Sequence, residues 1–304
     1  MTQTDKWSEY WNNQGISGEV FVNKAGDRHP RLASYWQTQL SGAHATSKII
    51  DLACGAGSVF ADLGESHSYT LIGADLSTDA LELLRERLPS AYVVSCALSQ
   101  LPFPESSFDL VVSQFGIEYA GVESFADAGN LVASGGRIAI LCHLEGGYID
   151  TRNRGMLAGA QEVIESGFVE RSVELVKAAF TGQSDLIQKA EAQFTPAQRR
   201  VSAILEQNPE GIHNHVYFGF KQLYERRAHY DVSDITNWLE LLHPDVEKNI
   251  LRLTQTREAA CSEVEIKQVC RDFTKLGLRK VGYSPFFIPG NDLPIAWSIT
   301  AERS

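Results

Sequence analysis

Two stretches of this chain end in an acid where a bound nucleoside needs one. Lys48–Gly57 reads KIIDLACGAG, and Leu71–Ser77, one helix's length further on, reads LIGADLS. In each, an apolar run suited to a buried strand closes on an aspartate, Asp51 or Asp75, and the first runs on into a glycine-rich turn. Glycines at a strand end let the backbone approach a ligand closely, and an acid ending the next strand is placed to accept hydrogen bonds from ribose hydroxyls. NAD, FAD and S-adenosylmethionine are all held by versions of this arrangement.

The spacing narrows the choice. Gly55-Ala56-Gly57 is followed by Ser58-Val59-Phe60, so the third glycine of the dinucleotide fingerprint, which permits close helix–strand packing at NAD sites, is missing. No phosphate-binding lysine of the Walker type accompanies the loop. The elements that must position these residues alternate from Lys48 to about His143. Strand-like runs at Ile49–Ala53, Tyr69–Ala74, Ala91–Ser95, Leu110–Phe115 and Arg137–Leu141 are separated by helical stretches. The clearest helix is Ser77–Leu88, with Ser77 as cap, Asp79 in the first turn, Leu81, Leu84 and Leu88 on one face, and Pro89 as terminator. Such alternation implies a parallel sheet covered on both faces, with Ser134-Gly135-Gly136 as the turn into the fifth strand.

After that strand the pattern changes, and from about Glu145 to Ala260 it reads as helix. Val169, Val173, Val176 and Phe180 recur at helical spacing, Thr195-Pro196 reads as an N-cap followed by a first-turn proline, and Trp238, Leu241 and Leu242 mark another apolar face. A helix over Ser262–Leu276 then precedes Lys280–Ile288 and Pro294–Ile299, which read as a closing antiparallel hairpin around Pro289-Gly290-Asn291-Asp292. The helical segment is thus expected as an insertion within the sheet domain.

The D-x-x-x-G-x-G loop, together with LPFPESSFDLVVSQF (Leu101–Phe115), LVASGGRIAIL (Leu131–Leu141) and the closing hairpin, resembles the class I S-adenosylmethionine-dependent methyltransferases of small-molecule type. The resemblance covers Lys48–His143 and about Ser262–Ser304. It implies an α/β fold: a Rossmann-like, seven-stranded, mostly parallel sheet with an antiparallel last hairpin, here carrying a large helical insertion after strand 5. The expected organisation is an N-terminal helical lid over 1–46, a cofactor-binding core over 47–145 and 261–304, and the insertion over 146–260 as a cap on the substrate pocket. By the same resemblance, Asp51 and the backbone of Ala53, Cys54, Gly55 and Gly57 hold the methionine portion of S-adenosylmethionine. Asp75 takes the ribose hydroxyls and Leu76 packs on the adenine. The family often has an acid before the Leu-Pro-Phe segment, but Ala97 stands there, leaving the adenine amino group to the backbone of Ala97 and Leu98 or to Ser99 and Gln100. The structural alternatives to the cofactor reading are a strand-end acid in a local turn for Asp51 and a helix cap for Asp75.

Ser113, Gln114 and Phe115 end the fourth strand, where the transferable methyl is expected, and Glu118, Tyr119 and His143 lie on the same carboxyl edge. Open α/β sheets bind ligands along that edge, which makes those three the candidates for substrate contact or proton removal. His143 is the best base by its unperturbed pKa. Their structural alternatives are a helix cap, a core aromatic and a histidine bonded to a loop carbonyl. Trp7, Tyr10 and Trp11 share a helical face and read either as a lid over the cofactor, with cation–π attraction to a sulfonium, or as a helix packed on the sheet. Arg28-His29-Pro30-Arg31 reads as exposed charge, as do Arg199-Arg200 and Arg226-Arg227. Tyr217, Phe218, Phe220 and Tyr224 line a pocket or form the insertion's own core.

Net charge is −11 in 304 residues, which disfavours a broad phosphate-binding surface and therefore nucleic acid. The five cysteines form no CxxC pair, and His213-Asn214-His215 lacks a third ligand at convincing spacing, so neither a disulfide framework nor a metal is expected. The N-terminus shows no signal segment and no run reaches membrane-spanning length, so the expectation is a cytoplasmic enzyme, free of membrane, with a small-molecule acceptor and a homodimer as an option. Two other readings compete: a cofactor-binding module without turnover whose insertion mediates assembly, and an NAD-dependent oxidoreductase, which needs the missing glycine.

Overall fold

The computed structural model describes residues 28–44, 46–61, 63 and 68–304. The chain divides into two compact units, one holding the described residues up to Ile149 together with Ala259–Ser304, the other Asp150–Glu258.

The first unit is built on seven strands: β1 (Lys48–Leu52), β2 (Thr70–Asp75), β3 (Tyr92–Ser95), β4 (Phe108–Gln114), β5 (Val132–His143), β6 (Leu278–Phe286) and β7 (Ala296–Arg303). Their order is β3-β2-β1-β4-β5-β7-β6. The pairings from β3 through β5 are parallel, whereas β7 runs antiparallel to both β5 and β6. This is the Rossmann-like, mostly parallel sheet with an antiparallel last hairpin that the sequence implies.

A parallel sheet buried on both faces needs strands apolar on both sides, and successive residues here divide between two cores. Ile50, Val111, Ile138 and Ile140 pack on one face with Phe125 of α3 (Glu123–Asn130) and Phe273 of α9 (Glu263–Lys275). Ile49, Leu110, Val112 and Leu141 pack on the other with Trp36 of α1 (Pro30–Ser41) and Leu84 of α2 (Thr78–Arg87). Local signals set the helix ends. Ser77 accepts the Ala80 N–H at 3.3 Å to start α2, and Ser262 and Glu265 form a reciprocal capping box at the start of α9.

Two expectations for this unit change. In its described part, the lid expected over 1–46 is a core helix: α1 begins at Pro30 with His29 as N-cap and buries Leu32, Trp36 and Leu40 along one face. Ser134-Gly135-Gly136 is not a turn before the fifth strand but an irregularity inside β5, where pairing jumps from Phe108↔Val132 to Leu110↔Arg137 and Gly135 takes a positive φ.

The second unit is helical: the rest of α4 (Tyr148–Glu165), then α5 (Phe168–Thr181), α6 (Ser184–Gln207), α7 (Ile212–Glu225) and α8 (Val232–Ala259), the last closing at Glu258 within this unit. Its core gathers Val169, Val173, Val176, Phe194, Val201, Phe220 and Leu239. Phe180 and Leu241, expected on apolar faces, are 41% and 70% exposed. Phe220 is core, whereas Phe218 is half exposed. Thr195-Pro196 does not start a helix. Pro196 lies inside α6, and the Thr195 hydroxyl donates to Glu191 O at 2.7 Å. Phe194, Ala197 and Val201 are buried on either side of it, so apolar packing carries the helix through the proline. No helix among the described residues is long and apolar enough to cross a membrane.

Proline in a helix interior removes one backbone hydrogen bond and crowds the preceding turn. Pro196→Ala is therefore expected to raise the unfolding free energy of the helical unit by about 1–3 kcal/mol, net of the greater freedom of the unfolded chain. A chemical denaturation curve followed by helical circular dichroism measures it.

Candidate active site

β1, β2, β4 and β5 end side by side, and the chemistry-bearing residues lie at those ends. Asp51 is near the end of β1 and Asp75 closes β2. Between β1 and the following 3-10 turn, Ala53, Gly55 and Gly57 all take positive φ, with Gly57 at 80° capping Ser58–Phe60. This left-handed sequence suits glycine and strains an alanine. It aims the Gly55 N–H at Asp75 Oδ2 (2.8 Å), while Asp75 Oδ1 accepts the Ser77 N–H (2.8 Å).

The two acids differ in what surrounds them. Burial raises the Asp75 carboxyl above its ordinary value, against the pull of the N–H groups of Ser77, Gly55 and Leu76. Asp51 is buried, and among the described residues neither of its carboxylate oxygens is hydrogen-bonded. Burial pushes its carboxyl well above the usual range, the nearby Asp75 pushes it further, and the charge of Arg28 opposes both. The Cys54 thiol is also driven well up, by burial first and then by Asp75 and Asp51. The site is thus short of positive charge. A cationic ligand relieves that deficit and a pyrophosphate worsens it.

Several expected residues take other roles. Ser113 gives its hydroxyl hydrogen to Leu52 O at 2.7 Å and accepts the Ile117 N–H, so it ties β4 to β1 and has no hydrogen left for a ligand. The amide of Gln114 is held between the Trp36 indole N–H and Ser58 Oγ. Phe115 is buried with φ 53°, next to Gly116, where a Cβ would lie 2.5 Å from the Ala53 Cβ. The exits of β1 and β4 therefore pack too closely for a side chain there. Leu76, Ala97 and Leu98 are half-buried, the last two opening the short turn Leu98–Gln100. Arg28 departs from the exposed charge expected of it: it is half-buried and acts on Asp51. Trp7, Tyr10 and Trp11 lie outside the described residues. His213 is fully buried with Nε2 2.8 Å from Asn208 O, and among the described residues no group of three or more His, Cys, Asp or Glu could hold a metal.

The structure brings Glu118, Tyr119 and His143 together. Glu118 lies in the turn Ile117–Ala120, and its Oε1 accepts the His143 backbone N–H at 2.8 Å and lies 2.6 Å from His143 Nδ1. The imidazole packs against Phe115 (centroids 4.9 Å) and edge-on to Tyr119 (5.8 Å). The Trp36–Gln114–Ser58 chain and the Arg28 charge escaped sequence reasoning, because residues far apart in the chain show no common spacing.

A family model described as a methyltransferase domain matches residues 49–136, which run from β1 into β5. Residues 49–136 are a methyltransferase domain. The methyltransferase core is similar to the demethylmenaquinone methyltransferase of Beutenbergia cavernae, 29% identical over 101 residues, 33% of this chain and 42% of that protein. It is also similar to an uncharacterized methyltransferase of Synechocystis, 39% identical over 64 residues, 21% of this chain and 30% of that protein. The matched segment thus spans less than half the length of either relative. Among solved structures, a TehB-like S-adenosylmethionine-dependent methyltransferase of Corynebacterium glutamicum aligns over 46% of this chain and 72% of its own, with 21% identity and a TM-score of 0.36. The class I resemblance holds for this domain, and the cofactor of that class is S-adenosylmethionine.

The folded methyltransferase core holds the Asp51 proton more tightly than the unfolded chain does. Its stability therefore falls as pH rises from the ordinary carboxylate range through the raised folded value. Asp51→Asn is expected to melt a few degrees higher than the unsubstituted protein at neutral pH, the difference vanishing in acid. Thermal melts of the ligand-free protein over a pH series test this.

Proposed function

We propose that this chain is an enzyme that transfers a methyl group from S-adenosylmethionine to a small-molecule acceptor at the carboxyl edge of the sheet. The observation that carries the reading is the pair of buried, mutually repelling carboxylates, Asp51 with both oxygens unpartnered among the described residues, beside a glycine loop that has no phosphate-binding lysine. An electron-rich site of this kind suits a nucleoside that bears positive charge and no phosphate.

Bound there, S-adenosylmethionine supplies an electrophilic methyl group on a cationic sulfur. Asp51 and the backbone from Ala53 to Gly57, including Cys54 and Gly55, hold the amino-acid end. Asp75 has further lone pairs beside its two N–H contacts and receives the ribose hydroxyls. Leu76 covers one face of the adenine, and Ala97 and Leu98 offer backbone groups to its edge. Phe115 walls the edge where the acceptor enters. Methyl transfer is a direct displacement, so holding the two reactants in line supplies much of the rate.

A small acceptor is favoured by the net charge of −11, which repels nucleic acid, and by relatives named for demethylmenaquinone. The five cysteines are free, which suits a reducing, cytoplasmic compartment.

Calorimetry is expected to show binding of S-adenosylmethionine and of its demethylated product, weakened at least about tenfold by Asp75→Ala, which removes two charge-assisted hydrogen bonds. Labelled methyl offered with a metabolite extract is expected on a small molecule. Label on RNA or protein would overturn the small-acceptor reading.

A further inference from the structure

Beyond the cofactor site, the carboxyl edge holds one arrangement that methyl transfer by itself does not require. Glu118 and His143 are 4% and 2% exposed and share a short contact, Nδ1 to Oε1 at 2.6 Å. The far atoms of the pair, Glu118 Oε2 and His143 Nε2, are buried and have no hydrogen-bond partner among the described residues. Building such a pair away from water is costly unless something completes it.

We propose that His143 is the base that deprotonates the acceptor, that Glu118 is the positioning residue that orients and charge-balances it, and that the acceptor carries a phenolic or enolic hydroxyl. This rests on the methyltransferase reading above and deepens it.

The tautomer follows from the contact. A carboxylate only accepts, so Nδ1 must carry the hydrogen that faces Oε1, and the neutral ring then has its lone pair on Nε2. The same Oε1 holds the His143 backbone N–H, so one oxygen fixes both the strand end and the ring. Phe115 and Tyr119 wall the imidazole with aromatic carbon. When a proton arrives at Nε2, Glu118 stands across the ring from the new positive charge.

The acceptor class follows from what needs such a base. A neutral amine attacks through its own lone pair. A thiol ionises near pH 8.5 without much help, whereas a phenolic hydroxyl ionises only near 10. A buried imidazole is matched to the hydroxyl. The hydroxyl O–H bond breaks, its proton adds to Nε2, and its electron pair stays on the acceptor. That pair, on oxygen or delivered through conjugation to carbon, forms the bond to the methyl carbon as the sulfur–carbon pair returns to sulfur. The proton leaves the imidazolium to solvent on product release.

Among the described residues, few titratable groups lie near His143. Glu118 and Tyr119 come from the turn after β4. Cys142 precedes it on β5, its thiol pushed well up by burial first, then by Cys261 and Glu118. Cys261, from the segment where the chain re-enters this unit, donates its backbone N–H to His143 O at 2.8 Å.

Nitrogen-15 spectra of the full, histidine-labelled chain, with His143 assigned by comparison with His143→Gln, test the dyad without any acceptor. The expected result is a neutral ring protonated on Nδ1. In Glu118→Gln, which keeps both acceptor contacts, labelled-methyl turnover is expected to fall about tenfold or more. A neutral ring protonated on Nε2, or unchanged labelled-methyl turnover in Glu118→Gln, overturns the proposal. Calorimetry with the demethylated cofactor separates this from the broader reading. An unsubstituted protein that fails to bind it removes the methyltransferase reading, and the acceptor proposal with it. One that binds it yet passes labelled methyl to an amine or thiol in the extract removes only the acceptor proposal. The supporting outcome is label on a phenolic or enolic compound, with turnover in His143→Gln falling about 10²–10⁴-fold and binding of the demethylated cofactor unchanged.

Discussion

Two carboxylates buried at the ends of neighbouring parallel strands govern the local conformation around them. Asp75 is made tolerable by backbone: the loop after β1 adopts a run of left-handed residues that brings the Gly55 N–H to it, and the start of α2 brings the Ser77 N–H. Among the described residues Asp51 receives no such hydrogen bonds, and the charge of Arg28 is what opposes its burial. Low-dielectric surroundings make the difference large, because an unpaired buried charge is among the costliest features a fold can carry. Strain in Ala53 and Phe115 and the close passage of Gly116 belong to the same arrangement, held by apolar packing on both faces of the sheet.

The two halves of the carboxyl edge are electrostatically unlike. Near β1 and β2 the site is acidic and open to a cation. Near β4 and β5 the Glu118–His143 pair bonds to itself, and among the described residues its Nε2 and Oε2 are left without partners. On the function proposed above, a cationic nucleoside and an acceptor with a proton to lose would be sorted along one edge by charge before shape is considered.

Much of this was legible in the sequence because it is local. An apolar run ending in an acid, Ser77 before a helical stripe and Ser262 three residues before Glu265 each declare themselves within a few positions. Glu118, Tyr119 and His143 could be grouped because strand order puts the ends of β4 and β5 side by side. What escaped depends on tertiary packing. Nothing near Arg28 signals that its charge faces Asp51, and nothing near Trp36 signals that its indole holds Gln114. Pro196 misled for the converse reason: a strong local breaker was overruled by the buried face on both sides of it.

The antiparallel β5–β7 pairing has the entire helical unit between its partners in the chain. Leu144 bridges Cys261, so the excursion begins and ends at nearly the same place. If that stretch stayed a random coil, every attempt to dock β7 would close a very long loop and bear its entropy. A helical unit with its own core shortens that loop once it has folded. It then hands the sheet two adjacent chain ends instead of a long coil, and the last two strands meet the fifth as though they followed it directly.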